Sequence, residues 1–154
     1  MYYALISTYD IGGLYERALI SVGRKTEVYS DAKTRIKTDS ETHVNIGFET
    51  DKTFRQLIEE LETKRYTKLN DTVIIKIINI PKKKYMVLDC YPNANEEAYM
   101  YRCFKNAERR AIEICEEGIN ERNTNGINGS VKIYKIGQSM RQIEPLERHY
   151  KDFF

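Results

Sequence analysis

Tryptophan is absent from this chain, and histidine and cysteine are scarce, at two and three residues. These scarcities exclude a good deal. No C-x-x-C pair occurs, and His43 and His149 stand far apart, so a Cys/His zinc site has no donors at a workable spacing. Cys90, Cys103 and Cys115 are odd in number and widely spaced, which suits reduced thiols rather than a disulfide framework. No histidine lies near any of them in sequence to activate a catalytic thiol. Long apolar runs are also missing, since no stretch approaches the roughly 18 residues that would cross a bilayer. The N-terminus, Met1-Tyr2-Tyr3-Ala4-Leu5-Ile6, has neither a basic n-region nor a cleavage site. The expectation is therefore a cytoplasmic protein with no membrane partner. Nor does either charge sign dominate: 25 Lys and Arg against 23 Asp and Glu leave a net charge of +2. Attraction of the whole molecule to nucleic acid is then weak, and any anion site must come from a local cluster.

What is present fits one globular unit. A chain of 154 residues, 41% hydrophobic and 31% charged, can bury a core without disulfides or metal. Neither a sequence repeat nor a low-complexity linker divides it, so residues 1–154 are read as one domain, with 139–154 as a docking C-terminal tail. Tyr, Ile, Lys, Asn and Glu are abundant, the mark of AT-rich coding in a low-GC bacterium or its phage. That bears on origin and not on mechanism.

Periodicity supplies the elements. Residues 2–8 read as a strand ended by Asp10 and Gly12-Gly13. Residues 14–22 read as a short helix ending at Gly23. Residues 25–30 read as a strand, and the polar 31–41 as a loop or exposed strand. In 42–48, Val44, Ile46 and Phe48 alternate as in a strand. Phe54, Leu57, Ile58 and Leu61 form one helical stripe within 51–65, capped by Thr50 or Asp51. Residues 72–80 are nearly continuously apolar, as in a strand buried on both faces, and Pro81 stops them. A second strand covers 84–91, and a long helix covers 95–117, capped by Asn95 and ended by Gly118. Residues 120–129 read as a loop, 130–136 as the last strand, and a short helix follows Pro145. The fold class is thus α+β: a mostly antiparallel sheet of about six strands with two main helices on one face, ferredoxin-like or related.

Four groups of residues could carry chemistry. On the long helix, Arg102, Lys105 and Arg109 fall within about 60° of each other, with Tyr101 at the edge. Such a triplet can clamp phosphates while the ring stacks on a base. It can equally serve surface ion pairs with Glu113 and Glu116. In an extended Lys33-Thr34-Arg35-Ile36-Lys37, all three basic side chains point the same way, as in a polyanion groove or as in an edge strand guarded by charge. Lys82-Lys83-Lys84 is a basic turn that can touch phosphate or merely be solvated. Thr42-His43-Val44-Asn45-Ile46-Gly47-Phe48 resembles one half of the signature of the 2H phosphoesterases. Those enzymes carry two H-x-T/S motifs on strands, and their two histidines act as acid and base. Here Asn45 stands where the hydroxyl belongs, and the other histidine, His149, lies in Arg148-His149-Tyr150 rather than in a second motif. Gly12-Gly13 lacks both G-x-G-x-x-G and the Walker lysine, so it reads as a plain turn.

The favoured expectation is a binding protein without cofactor or metal, rather than an enzyme. Its ligand would be an anionic small molecule, a nucleic acid or an acidic protein surface, held by Tyr101, Arg102, Lys105, Arg109, Lys33, Arg35 and Lys37. A phage or mobile-element inhibitor or ligand trap fits this size and composition. The alternatives are a degenerate phosphodiesterase centred on His43, and a homo-oligomeric interaction module using the aromatic tail Tyr150, Phe153 and Phe154.

Overall fold

The computed structural model describes residues 1–11, 14–45, 52–69, 73–91, 98–117 and 130–146. The described elements run in the order β1 (Tyr2–Ile11), β2 (Leu14–Gly23), α1 (Lys25–Asn45), α2 (Phe54–Lys64), β3 (Tyr66–Lys68), β4 (Val73–Ile80), β5 (Tyr85–Asp89), β6 (Tyr99–Tyr101), α3 (Phe104–Glu117), β7 (Val131–Ile136) and β8 (Ile143–Leu146). All strand pairings are antiparallel and form two four-stranded sheets, ordered β2-β1-β4-β3 and β6-β5-β7-β8. The α+β class and the antiparallel pairing expected from the sequence are what the structure shows. The helices are shared between two sheets rather than gathered on one.

Side-chain alternation explains the layering. In β1, Ala4 and Ile6 point to the core between the sheets, and Leu5 to the core under α1 and α2. In β4, Ile80 serves the first core while Val73, Ile75 and Ile77 serve the second. The nearly unbroken apolar run of β4 is thus that of an inner strand with both faces covered. In the second sheet, Met86 and Leu88 of β5 face the first sheet, whereas Val87 packs with Ala107, Ala111, Ile114 and Cys115 of α3. The layers are therefore α1 and α2, first sheet, second sheet, α3. A bulge in β2 keeps this arrangement in register. Ile6 pairs with Leu19 but Leu5 pairs with Ser21, so Ile20 is the extra residue. It turns Leu19 and Val22, three apart, onto the same face.

Four stretches differ from the sequence expectation. Residues 14–23 are a strand and not a short helix, because β2 zips onto β1 along its whole length. Residues 25–45 are one helix, where a strand, a loop and another strand were expected. Val28, Ala32 and Ile36 supply only one buried residue per turn, and Thr34 and Thr38 satisfy their hydroxyls on the carbonyls of Ser30 (3.3 Å) and Thr34 (3.0 Å). A stripe so narrow, among Ser, Thr and Asp, hides the helical period. The long helix begins at Phe104, since 99–101 pair with β5 as a strand. Beyond Gly137 the chain forms β8 on the sheet edge, where Pro145 is tolerated, rather than a helix after the proline. Helix α2 is as expected, though its cap is Thr53. The Thr53 hydroxyl accepts from Gln56 N–H at 3.2 Å, and the Gln56 side chain accepts from Thr53 N–H at 2.9 Å. Thr50, Asp51, Asn95, Gly118, the 120–129 loop and the tail beyond Leu146 lie outside the described residues.

Candidate functional site

One end of the second sheet becomes a cationic mouth. Tyr85 pairs with Tyr101 on one side and Lys135 on the other. One step outward, the same register sets Lys84 between Arg102 and Ile136, and Ile136 N–H donates to Lys84 O at 2.6 Å. Because Met86 faces the first sheet, the alternating position Lys84 is on that face too. Pro81 ends β4, and the short link to β5 adds Lys82 and Lys83. The result is a cavity of about 780 Å³ with Lys82, Lys83, Lys84 and Arg102 in its lining. Ile136, Gly137, Gln138 and Met140 complete its described lining.

The β7–β8 turn sets the part of the lining from Gly137 to Met140. Gly137 N–H donates to Gln142 O at 2.8 Å, and Met140 N–H donates to Gly137 O at 3.0 Å. Met140 has φ 57, a left-handed conformation that disfavours a side chain. Burying that side chain in the inter-sheet core, to 2% exposure, offsets the cost.

Among the described residues, the cavity's charge is one-sided. Among the described residues, no carboxylate pairs with Lys82, Lys83, Lys84 or Arg102. The described lining of the cavity holds no acidic residue either. Lys83 donates to Met100 O at 3.5 Å, which orients its amine without neutralising it. A second cavity, of about 490 Å³, makes the contrast. Asp31, Thr34, Arg35 and Arg141 are among its lining residues. There Arg141 is held by Asp31 at 2.8 Å and Glu27 at 3.4 Å, and also donates to Val22 O at 3.1 Å. That site balances its own charge, whereas the described lining of the first is cationic without an acidic partner.

The expected site residues divide accordingly. Arg102 reaches the cavity, but from the bend after β6 rather than from a helix face. Lys105 and Arg109 are exposed one turn apart on α3 and are not among the cavity's lining residues. Tyr101 is partly buried against the α3 core, which pushes its hydroxyl pKa up, and it also lies outside the lining. Lys33, Arg35 and Lys37 are on α1, where two residues turn the side chain by about 200°, so the common direction expected of an extended segment is lost. Lys33 pairs with Glu62 at 3.7 Å, and Arg35 faces the second cavity. His43 lies in the last turn of α1 and not on a strand, which removes the setting that the H-x-T/S resemblance requires. His149 is outside the described residues.

Sequence reading gave Lys82–Lys84 as a separate candidate and did not connect it with Arg102. It missed Gln138 and Met140 altogether. The link is tertiary: it needs the β5–β6 and β5–β7 registers, which no local pattern encodes. The buried thiols are poor nucleophiles. Burial raises Cys90 to about 11, and burial also raises Cys115 to about 11, so both stay protonated at neutral pH. Among the described residues, no cluster of three or more His, Cys, Asp or Glu could hold a metal ion. No helix is long and apolar enough to cross a membrane among those residues. Comparison with protein families, with curated proteins and with solved structures finds no match.

Proposed function

We propose that this protein binds an anionic, phosphate-bearing ligand in the cavity between Lys82–Lys84 and Arg102, and acts as a binder or ligand trap rather than as a catalyst. The observation that carries this reading is the meeting of four cations from two separate chain segments around one concavity without a carboxylate partner. Like charges repel, so gathering them is unfavourable unless a ligand supplies the counter-charge. Arg102 offers a planar, bidentate fork, and the lysines offer mobile point charges. The volume lies within the usual 300–1,000 Å³ range of small-molecule sites.

The test is fluorescence polarisation with a labelled nucleoside triphosphate. Lys84→Glu/Arg102→Glu is expected to weaken binding at least tenfold, about 1.4 kcal/mol. Lys105→Glu/Arg109→Glu is expected to leave it within twofold. The ligand recovered after denaturation should be chemically intact. Hydrolysed ligand, or equal affinity in the first variant, would contradict the proposal.

A further inference from the structure

Resting on that reading of the same cavity, we infer that the site recognises a compact polyphosphate by its charge alone and does not read a base. The described lining decides this. Ile136 and Met140 line the cavity, yet each is only 2% exposed, because both side chains are spent in the core between the sheets. A base gains affinity by covering apolar or aromatic surface. Neither residue leaves much to cover, and the apolar part of the described lining comes mainly from the methylene stems of the lysines, Arg102 and Gln138. Among the described residues no aromatic lines the cavity, since Tyr101 turns to the α3 face and Tyr85 packs on Phe104 at 5.8 Å. What a ligand meets is four cationic side chains, the Gln138 amide and the Gly137 backbone.

Compactness follows from the same geometry. The four cations surround one concavity and would all act on one cluster of phosphates. Along a single nucleic-acid strand, successive phosphates are spaced by sugars and cannot crowd into one cavity. The nearby cations Lys105 and Arg109 stand outside the lining, and Arg110 is tied to Glu113 at 3.0 Å and stacked on Tyr99 at 4.5 Å. Among the described residues the cavity therefore gathers four cations, and Lys105 and Arg109 stand outside it. The shared ligand chemistry is a triphosphate or longer phosphate chain, free or carried by a nucleoside.

The experiment is a calorimetric titration of the full chain with inorganic triphosphate, ATP, GTP, CTP, ADP, AMP, a single-stranded octanucleotide and polyglutamate. Inorganic triphosphate and the three nucleoside triphosphates should agree within threefold. Affinity should fall by about tenfold or more for each phosphate removed, and Lys84→Gln/Arg102→Gln should abolish the ranking. One nucleotide binding over tenfold more tightly than inorganic triphosphate would show a base subsite and overturn this inference, leaving anion binding in place. Tighter binding of the octanucleotide or polyglutamate would do the same. No binding by any probe would overturn both readings.

Discussion

Replacing Tyr134 by Phe removes one oxygen and should destabilise the joint between the two sheets. β2 is an edge strand, and two backbone groups of its middle, Arg17 O and Leu19 N–H, are met by side chains of the second sheet. Leu19 N–H donates to the Tyr134 hydroxyl at 3.2 Å, across 115 positions in sequence. Arg17 O accepts from Lys132 Nζ at 2.6 Å, and the Cys90 thiol lies 3.6 Å from the same oxygen. Side chains of the second sheet thus occupy the edge that another strand could otherwise extend. Leu19 and Tyr134 are 5% and 6% exposed, so water does not readily replace the lost acceptor. A buried N–H left without a partner costs about 1–3 kcal/mol. For a chain of this size each kcal/mol lowers Tm by about 2–4 °C, so the expected fall is roughly 2–12 °C. The ring is kept, so the hydrophobic contribution to the inter-sheet core hardly changes. Differential scanning calorimetry of wild type and Tyr134→Phe measures the effect. A Tm unchanged to within about 1 °C would refute the claim that this hydroxyl satisfies the edge.

Further outcomes follow from other parts of the structure. In native protein at pH 8, a thiol reagent should label the exposed Cys103 quickly, with Cys90 and Cys115 reacting only after denaturation; rapid labelling of all three would contradict the burial. Burial raises both buried thiols from 9.0 to about 11, so between those values the unfolded chain releases protons that the folded chain retains. Their contribution to stability is therefore complete below about pH 9 and lost as pH rises through about 11, which urea titrations at pH 8 and pH 10.5 would check. Thr53→Ala removes the hydroxyl arm of the α2 cap, leaving the Gln56 arm onto the residue-53 N–H, and should cost about 1 kcal/mol, with Thr53→Ser retaining most of the stability; equal stability of all three proteins would dismiss the capping account. Removal of residues 150–154 takes away Tyr150, Phe153 and Phe154 and is expected to lower either the mass seen by light scattering or the Tm; no change in either would show the tail to be dispensable.

How much of this was legible depended on whether the signal was local. The run 73–80 announced a doubly covered strand, and Leu57 and Leu61 announced α2, because each buries a pattern matched to its own period. Helix α1 stayed hidden because Ala32 is a small anchor and the surrounding Ser, Thr and Asp favour other conformations. β2 was misread because Leu14, Ala18 and Leu19 mimic a helical stripe, while its true pairing depends on β1 and on a bulge at Ile20. The division into two sheets follows from which face each strand turns to which partner, and sequence spacing does not carry that. The candidate site shows the same limit. Arg102 and Lys82–Lys84 were each visible as cations, but only the pairing of β5 with β6 joins them.

The most direct measurement of the central claim is an NMR titration of isotope-labelled protein with inorganic triphosphate. The account predicts that shift changes at saturation centre on the backbone amides of Lys82, Lys83, Lys84, Arg102, Gly137 and Gln138, with those of Lys105, Arg109, Lys33 and Lys37 nearly still. Changes centred on α3 or α1 instead, or no change at millimolar triphosphate, would contradict it.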